Sequence, residues 1–119
     1  IELTKNNTRI TVIIAFNYGG RDEIVTAVRR LIEAGIRPDE VSEERISNAL
    51  FTAGIPDPDL IIRTSGEKRT STFLIWQAAY AEWSFPEIYW PDFDEKGLLA
   101  EFENYASRER RFGKISEQL

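Results

Sequence analysis

Residues 59–71 read Asp59-Leu60-Ile61-Ile62-Arg63-Thr64-Ser65-Gly66-Glu67-Lys68-Arg69-Thr70-Ser71. Leu60 to Ile62 form a short apolar run, as expected of a strand buried on both faces of a parallel sheet. Pro56 and Pro58 exclude helix just upstream. Arg63 ends the run, and a polar loop from Thr64 to Thr70 leads to Ser71, a predicted N-cap. Phe73 to Ala81 then reads as an apolar helix. Strand, polar turn and helix follow one another within this single stretch.

The flanking sequence repeats the alternation. Thr8 to Phe16 reads Thr-Arg-Ile-Thr-Val-Ile-Ile-Ala-Phe, a β-branched run that predicts a second buried strand. Asn17-Tyr18-Gly19-Gly20 breaks it, with the glycines expected at special backbone angles. A helix follows from about Arg21 to Ala34, with Ile24, Val25, Val28, Leu31 and Ile32 on one stripe and Gly35 as its stop. Ser42 opens a shorter helix through about Phe51, with Ile46 and Leu50 inward. Phe85 to Trp90 suits a third strand, with Pro86 near its start. Asp94 caps a final helix through about Phe112, with Leu98, Leu99, Phe102 and Tyr105 inward. The predicted fold class is α/β, a mainly parallel sheet flanked by helices on both faces. Three strands are few for such a sheet, so the fold is expected to be incomplete without upstream strands.

Composition narrows the chemistry. The 119 residues suit one domain or part of a larger one. Hydrophobic residues at 42% and charged residues at 29% match soluble globular chains. There is no apolar run long enough to span a membrane and no N-terminal signal pattern. The absence of cysteine excludes disulfide and thiolate chemistry and fits a cytoplasmic location. The absence of histidine leaves only oxygen ligands for a metal, which favours magnesium (Mg2+) over zinc. A net charge of −5 gives nucleic-acid binding no support. The chain begins at Ile1 and contains no methionine, which predicts that an N-terminal part is absent from the sequence.

Several residues could carry chemistry. Ligands of parallel α/β sheets bind beyond the carboxyl ends of the strands, where Arg63 and the 64–71 loop are expected. Two guanidiniums, one ammonium, several hydroxyls and Gly66 there suit a phosphate or diphosphate. The bland alternative is a solvated loop pairing Glu67 with Arg69 or Lys68. Glu82, between Ala81 and Trp83, needs a partner, either an arginine or a hard cation. Asn17 to Arg21 sits on the same predicted rim as Arg63. Trp76 and Tyr80, four apart on one helical face, read as core. In Trp90-Pro91-Asp92-Phe93-Asp94 the aromatics read as core or interface. Arg108-Glu109-Arg110-Arg111 is either a solvated run at a helix end or a contact across a subunit boundary.

The combination is more specific than its parts. Asn17-Tyr18-Gly19-Gly20-Arg21, Asp59 to Ser71, Phe73-Leu74-x-Trp76-Gln77, Tyr80-Ala81-Glu82 and Trp90-Pro91-Asp92-Phe93 occur in one order. From about Thr8 to Gly113 the chain resembles the C-terminal half of the undecaprenyl diphosphate synthase family, the cis-prenyltransferases. That resemblance implies repeated condensation of isopentenyl diphosphate onto an allylic diphosphate, usually farnesyl diphosphate, with cis double bonds. Arg63, Arg69 and Ser71, with Thr70 between the last two, match positions that grip isopentenyl diphosphate. Glu82 matches a carboxylate that helps hold magnesium, and Glu67 and Asn17 stand near the same site. The family works as a homodimer, and Arg111-Phe112-Gly113 matches a C-terminal Arg-x-Gly that contacts the neighbour's substrate.

The family's aspartate and glycine-rich first motif, its upstream catalytic Asn and Arg and its tunnel helices are not found here. No catalytic residue is therefore expected in this half, and residues 1–119 alone are expected to be inactive. Peripheral membrane contact through the insoluble product is a further implication. A non-catalytic partner subunit of a heteromeric enzyme and an unrelated phosphate-binding α/β domain are the alternatives.

Overall fold

Two parallel strands, β1 (Leu60–Ile62) and β2 (Glu82–Ser84), form the sheet, with Leu60 opposite Glu82 and Ile62 opposite Ser84. They belong to a computed structural model that describes residues 2–109. Three α-helices accompany them: α1 (Gly20–Glu33), α2 (Glu43–Ala49) and α3 (Glu95–Ala106). Short 3-10 turns occupy Glu2–Thr4, Pro38–Glu40 and Trp90–Asp92. The class is α/β with parallel pairing, as the sequence predicts.

The helix ends follow their local chemistry. Gly35 takes φ +74, and the Gly35 and Ile36 N–H groups close back on Ile32 and Leu31 carbonyls at 2.9 and 3.2 Å. That is the Schellman ending of α1. Ser42 Oγ accepts from Arg45 N–H at the start of α2, and Asp94 Oδ1 accepts from Gly97 N–H at the start of α3. Helix α3 ends at Ala106, short of the predicted Phe112.

Four expectations are corrected. Residues 8–16 form no strand, and Ile10, Val12, Ile13, Ile14 and Phe16 are exposed. A parallel strand needs a neighbour for its N–H and C=O groups, and among the described residues β1 and β2 pair only with each other. The strand expected at 85–90 lies earlier, at Glu82–Ser84. Beyond it, Pro86 and Ile88 carbonyls accept from Gly66 and Ser65 N–H instead of continuing a ladder. The expected helix at 73–81 does not form: residues 73–80 are consecutive turns, and Ser71 is no N-cap. Ser71, Thr72 and Leu74 have φ of +47, +66 and +47, and Thr72 gives its carbonyl to Gly20 N–H at 2.9 Å. A helix would have needed that carbonyl for residue 76, so Trp76 and Tyr80 do not share a helical face. Finally, neither Gly19 nor Gly20 has positive φ; Asn17 does, at +53. Gly20 is required for a different reason, because a Cβ there would lie 2.4 Å from the Thr72 carbonyl oxygen and 2.9 Å from Ile75 Cγ1.

The apolar core is thin. Among the described residues the buried hydrophobics are Ala27, Leu50 and Ile61. Helix α1 buries Gly20, Glu23 and Ala27, while Val25, Val28 and Ile32 of its predicted inner stripe are exposed. Leu98, Leu99 and Phe102 of α3 are likewise exposed, and Tyr105 is half-buried. The radius of gyration is 17.4 Å, against roughly 13.5 Å for a compact domain of this length.

A polar cluster stands at the centre. Glu23 has no exposed surface. Its carboxylate accepts from Tyr18 O–H at 2.5 Å, Phe51 N–H at 2.8 Å and Gln77 Nε2 at 3.1 Å. Gln77 Nε2 also donates to Thr52 Oγ1 at 2.8 Å. The Tyr18 phenol is pushed up from 10.0 to about 12, first by burial and then by the hydrogen bond to Glu23 and its negative charge.

Two predictions follow from this packing. Gly20→Ala should cost about 1–3 kcal/mol, because a Cβ meets fixed backbone. Gly19→Ala serves as control, since its Cβ would make only ordinary contact at 4.0 Å with Asp22; urea midpoints of the two variants compare them. Tyr18 keeps its proton to higher pH folded than unfolded. Its contribution is therefore fully present below pH 10 and is lost as pH rises towards about 12. Tyr18→Phe should remove that part of the alkaline fall in stability, and the tyrosinate difference absorbance against wild type should titrate near 12.

Candidate functional site

The loop after β1 is held by backbone before any side chain is considered. Arg63 N–H donates to Ser84 O at 2.9 Å, carrying the ladder one residue past β1. Ser65 N–H then reaches Ile88 O at 2.8 Å and Gly66 N–H reaches Pro86 O at 3.0 Å. Ser65 and Gly66 both have positive φ, 68 and 64, which turns the chain sharply at the carboxyl end of the sheet. Gly66 supplies the turn that its composition suggests. The parallel register thus places the predicted phosphate loop where such sheets bind ligands.

The loop's side chains are presented outward. Arg63 is half-buried, and its guanidinium makes no hydrogen bond or ion pair among the described residues. Arg69 is 65% exposed and pairs with Glu67. This is the pairing foreseen in the bland reading of the loop, so a phosphate at Arg69 has to compete with Glu67. Lys68, Thr70 and Ser71 are exposed. Thr70 O accepts from Phe73 N–H at 2.9 Å and Thr72 O from Gly20 N–H at 2.9 Å, so backbone bonds flank Ser71 on both sides.

Glu82 has an arginine partner. Arg108 Nη1 lies 3.0 Å from Glu82 Oε2 and donates to Trp83 O at 2.9 Å. Glu82 sits opposite Leu60, three residues before Arg63 in the register, or about 10 Å along the strand. It stands at the amino end of β2, whereas Arg63 follows the carboxyl end of β1. Among the described residues no group of three or more Asp or Glu could hold a metal ion. These residues alone do not complete a magnesium site. Beside Glu82, buried Ser84 donates through Oγ to Glu101, tying β2 to α3.

Asn17 is exposed on the turn before α1, with φ +53. That turn joins the 71–77 segment through Gly20 and Thr72, and through Tyr18, whose ring meets Phe73 edge-on at 5.7 Å. An apolar groove of about 420 Å³ opens beside it, lined by Ile14, Phe16, Tyr18, Phe51, Ile55 and Phe73 among others. Arg111 and Gly113 lie outside the described residues. Glu23 and its partners Tyr18 and Gln77 were missed as a cluster. An acid in the first turn of a helix is ordinary there, and nothing local marks it as buried.

Comparison with known proteins places the chain in a family. The family model described as "Putative undecaprenyl diphosphate synthase" matches residues 1–113. An isoprenyl transferase of Rhizobium meliloti (strain 1021) is 58% identical over 120 residues, covering 98% of this chain and 49% of that protein. A crystal structure of lavandulyl diphosphate synthase from Lavandula x intermedia, in complex with dimethylallyl diphosphate, superposes with a TM-score of 0.86. It is 39% identical and covers 95% of this chain and 50% of that one. A crystal structure of a probable undecaprenyl diphosphate synthase from Campylobacter jejuni gives a TM-score of 0.79 at 36% identity, covering 95% of this chain and 52% of that one. The chain spans about half the length of the relatives it matches. With the family model matching nearly its whole length, the chain belongs to the undecaprenyl diphosphate synthase family of cis-prenyltransferases.

Proposed function

We propose that the complete protein adds isopentenyl diphosphate units to an allylic, farnesyl-type diphosphate, making a long cis-polyprenyl diphosphate such as undecaprenyl diphosphate. In this reading residues 1–119 are the C-terminal part of a single domain. They supply the isopentenyl diphosphate grip and are inactive alone. The observation that carries it is the loop itself: an Arg63 guanidinium with no hydrogen bond or ion pair among the described residues, and Arg69, Thr70 and Ser71 exposed, on a turn pinned at the carboxyl ends of parallel strands. The dimethylallyl diphosphate bound to the lavandulyl relative supports an allylic diphosphate as co-substrate.

The chemistry of these residues suits a diphosphate head group. Guanidiniums present planar forks to phosphate oxygens, and such bonds are about twice as strong as neutral ones. Arg63 and Arg69 offset the charge of the bound head group, and the Thr70 and Ser71 hydroxyls donate to oxygens the guanidiniums leave free. A fixed head group holds the rest of the substrate in one orientation, which lowers the entropy lost on reaching the transition state. Magnesium, if bound by the complete protein, would take Glu82 as one ligand after Arg108 gives way, with the remaining ligands from outside these residues.

The match of Arg111-Phe112-Gly113 to the family's Arg-x-Gly supports a homodimer in which Arg111 and Gly113 reach the neighbour's substrate. The proposed location is the cytoplasm, at the membrane surface through the insoluble product. Among the described residues no helix is long and apolar enough to cross a membrane.

The complete protein, given magnesium and farnesyl diphosphate, should incorporate radiolabelled isopentenyl diphosphate into long-chain product. Arg69→Ala should weaken isopentenyl diphosphate binding by about 2 kcal/mol, roughly thirtyfold in KM. The low end of the range for a charged contact is expected because Arg69 must first leave Glu67. An unchanged KM in that variant would overturn the assignment.

A further inference from the structure

The strand that receives the diphosphate loop is itself fastened from one face. Ser84 ends β2, opposite Ile62. Its carbonyl accepts from Arg63 N–H at 2.9 Å, the first bond past β1. The next bonds to the loop come from the same stretch of chain, where Pro86 O accepts from Gly66 N–H and Ile88 O from Ser65 N–H. Ser84 is therefore the residue at which the regular ladder passes into the loop. Its side chain leaves the plane of the sheet, as strand side chains do. The hydroxyl is buried and donates to Glu101 of α3.

This pair belongs to a wider seam. Residues two apart in a strand share a face, so Glu82 and Ser84 stand on one side of β2. Glu82 meets Arg108, just past α3, and Ser84 meets Glu101 within it. The later residue of β2 takes the earlier residue of the helical stretch, so α3 runs opposite to the strand. Apolar packing adds little here, because Leu98, Leu99 and Phe102 are exposed and no residue of α3 is fully buried. A hydroxyl bonded to a carboxylate makes a stronger bond than one between neutral groups. Without Glu101 the buried Ser84 hydroxyl would lose this acceptor, and a buried polar group left unsatisfied is costly.

We infer that Ser84 and Glu101 are positioning residues for the diphosphate loop. The Ser84 hydroxyl, held by Glu101, fixes the carbonyl from which Arg63 hangs, and with it the stretch whose carbonyls hold Ser65 and Gly66. Both residues act through the backbone of β2, and neither touches substrate. This inference rests on the reading that the 63–71 loop grips isopentenyl diphosphate.

The complete protein with Ser84→Ala, Glu101→Ala and both together tests it. Each single variant should raise KM for isopentenyl diphosphate about fivefold, the scale of one lost hydrogen bond. KM for the allylic diphosphate should change less than about twofold, and the double variant should be no worse than the single ones, as for two residues that act as one contact. Ser84→Thr keeps the hydroxyl and should bring KM back close to wild type; with Ser84→Ala it decides the matter if Glu101→Ala fails to fold. Arg69→Ala is the reference. If Arg69→Ala raises KM for isopentenyl diphosphate and neither Ser84→Ala nor Glu101→Ala does, the inference fails and the loop reading stands. If Arg69→Ala leaves it unchanged as well, the loop reading fails and takes the inference with it. Equal rises for both substrates, the mark of general loosening, or single effects that multiply in the double variant, would also overturn it.

Discussion

A carboxylate with no exposed surface stays in a protein only when the chain brings hydrogen-bond donors to it. Glu23 is that group here, and three other segments converge on it. Tyr18 brings the turn before α1, Phe51 brings the end of α2, and Gln77 brings the stretch that follows the polar loop. The three buried apolar side chains among the described residues would not hold these segments in register. Burial at about 25 cal/mol per Å² is non-directional, whereas three donors converging on two oxygens fix positions. The thin core and the dense polar cluster are therefore two sides of one arrangement.

The sheet is organised by a comparable restraint. Its ladder does not stop at Ile62. Arg63, Ser65 and Gly66 N–H groups all find carbonyls on the stretch from Ser84 to Ile88. The loop that carries Arg63 and Arg69 is thus an extension of the strand pairing and not a free excursion. This explains how a turn with two successive positive φ values holds its shape although most of its side chains face solvent. Backbone bonds give the loop its position, and its side chains remain available to a ligand.

Features set by neighbouring residues were legible in the sequence. Gly35, Ser42 and Asp94 mark helix ends because capping depends on a few adjacent atoms, and all three act as read. Features set by distant partners were not. The 8–16 run has the composition of a buried strand, but its pattern cannot supply the neighbouring strand it requires. The 73–81 stretch has the composition of a helix, but the Thr72 carbonyl goes to Gly20, fifty-two positions away in sequence. Asn17 carries the positive φ expected of the adjacent glycines, since asparagine tolerates that region. The loop residues stand out in the sequence because strand, polar turn and guanidiniums fall in one short stretch. Glu23 does not, because its donors come from residues 18, 51 and 77 and only the folded chain assembles them.

Glu82 takes one of the two partners that its surroundings allow. Its composition allows an arginine or a cation as partner, and in this structure the arginine has it. Arg108 also donates to the Trp83 carbonyl, so its guanidinium bridges a side chain and the backbone of β2. Both charged groups are about three-tenths exposed or less. The pair is thus screened less than a surface ion pair, whose typical worth is about 0–1 kcal/mol. A cation shared by both Glu82 oxygens would displace that guanidinium from Oε2. Arg108 would keep the Trp83 carbonyl as acceptor, so the exchange breaks one contact and leaves the other. Arg108, just after α3, thus ties the end of that helix to the amino end of β2. The acid at the amino end of β2 and the loop beyond β1 are organised by different partners, Arg108 for one and backbone carbonyls for the other.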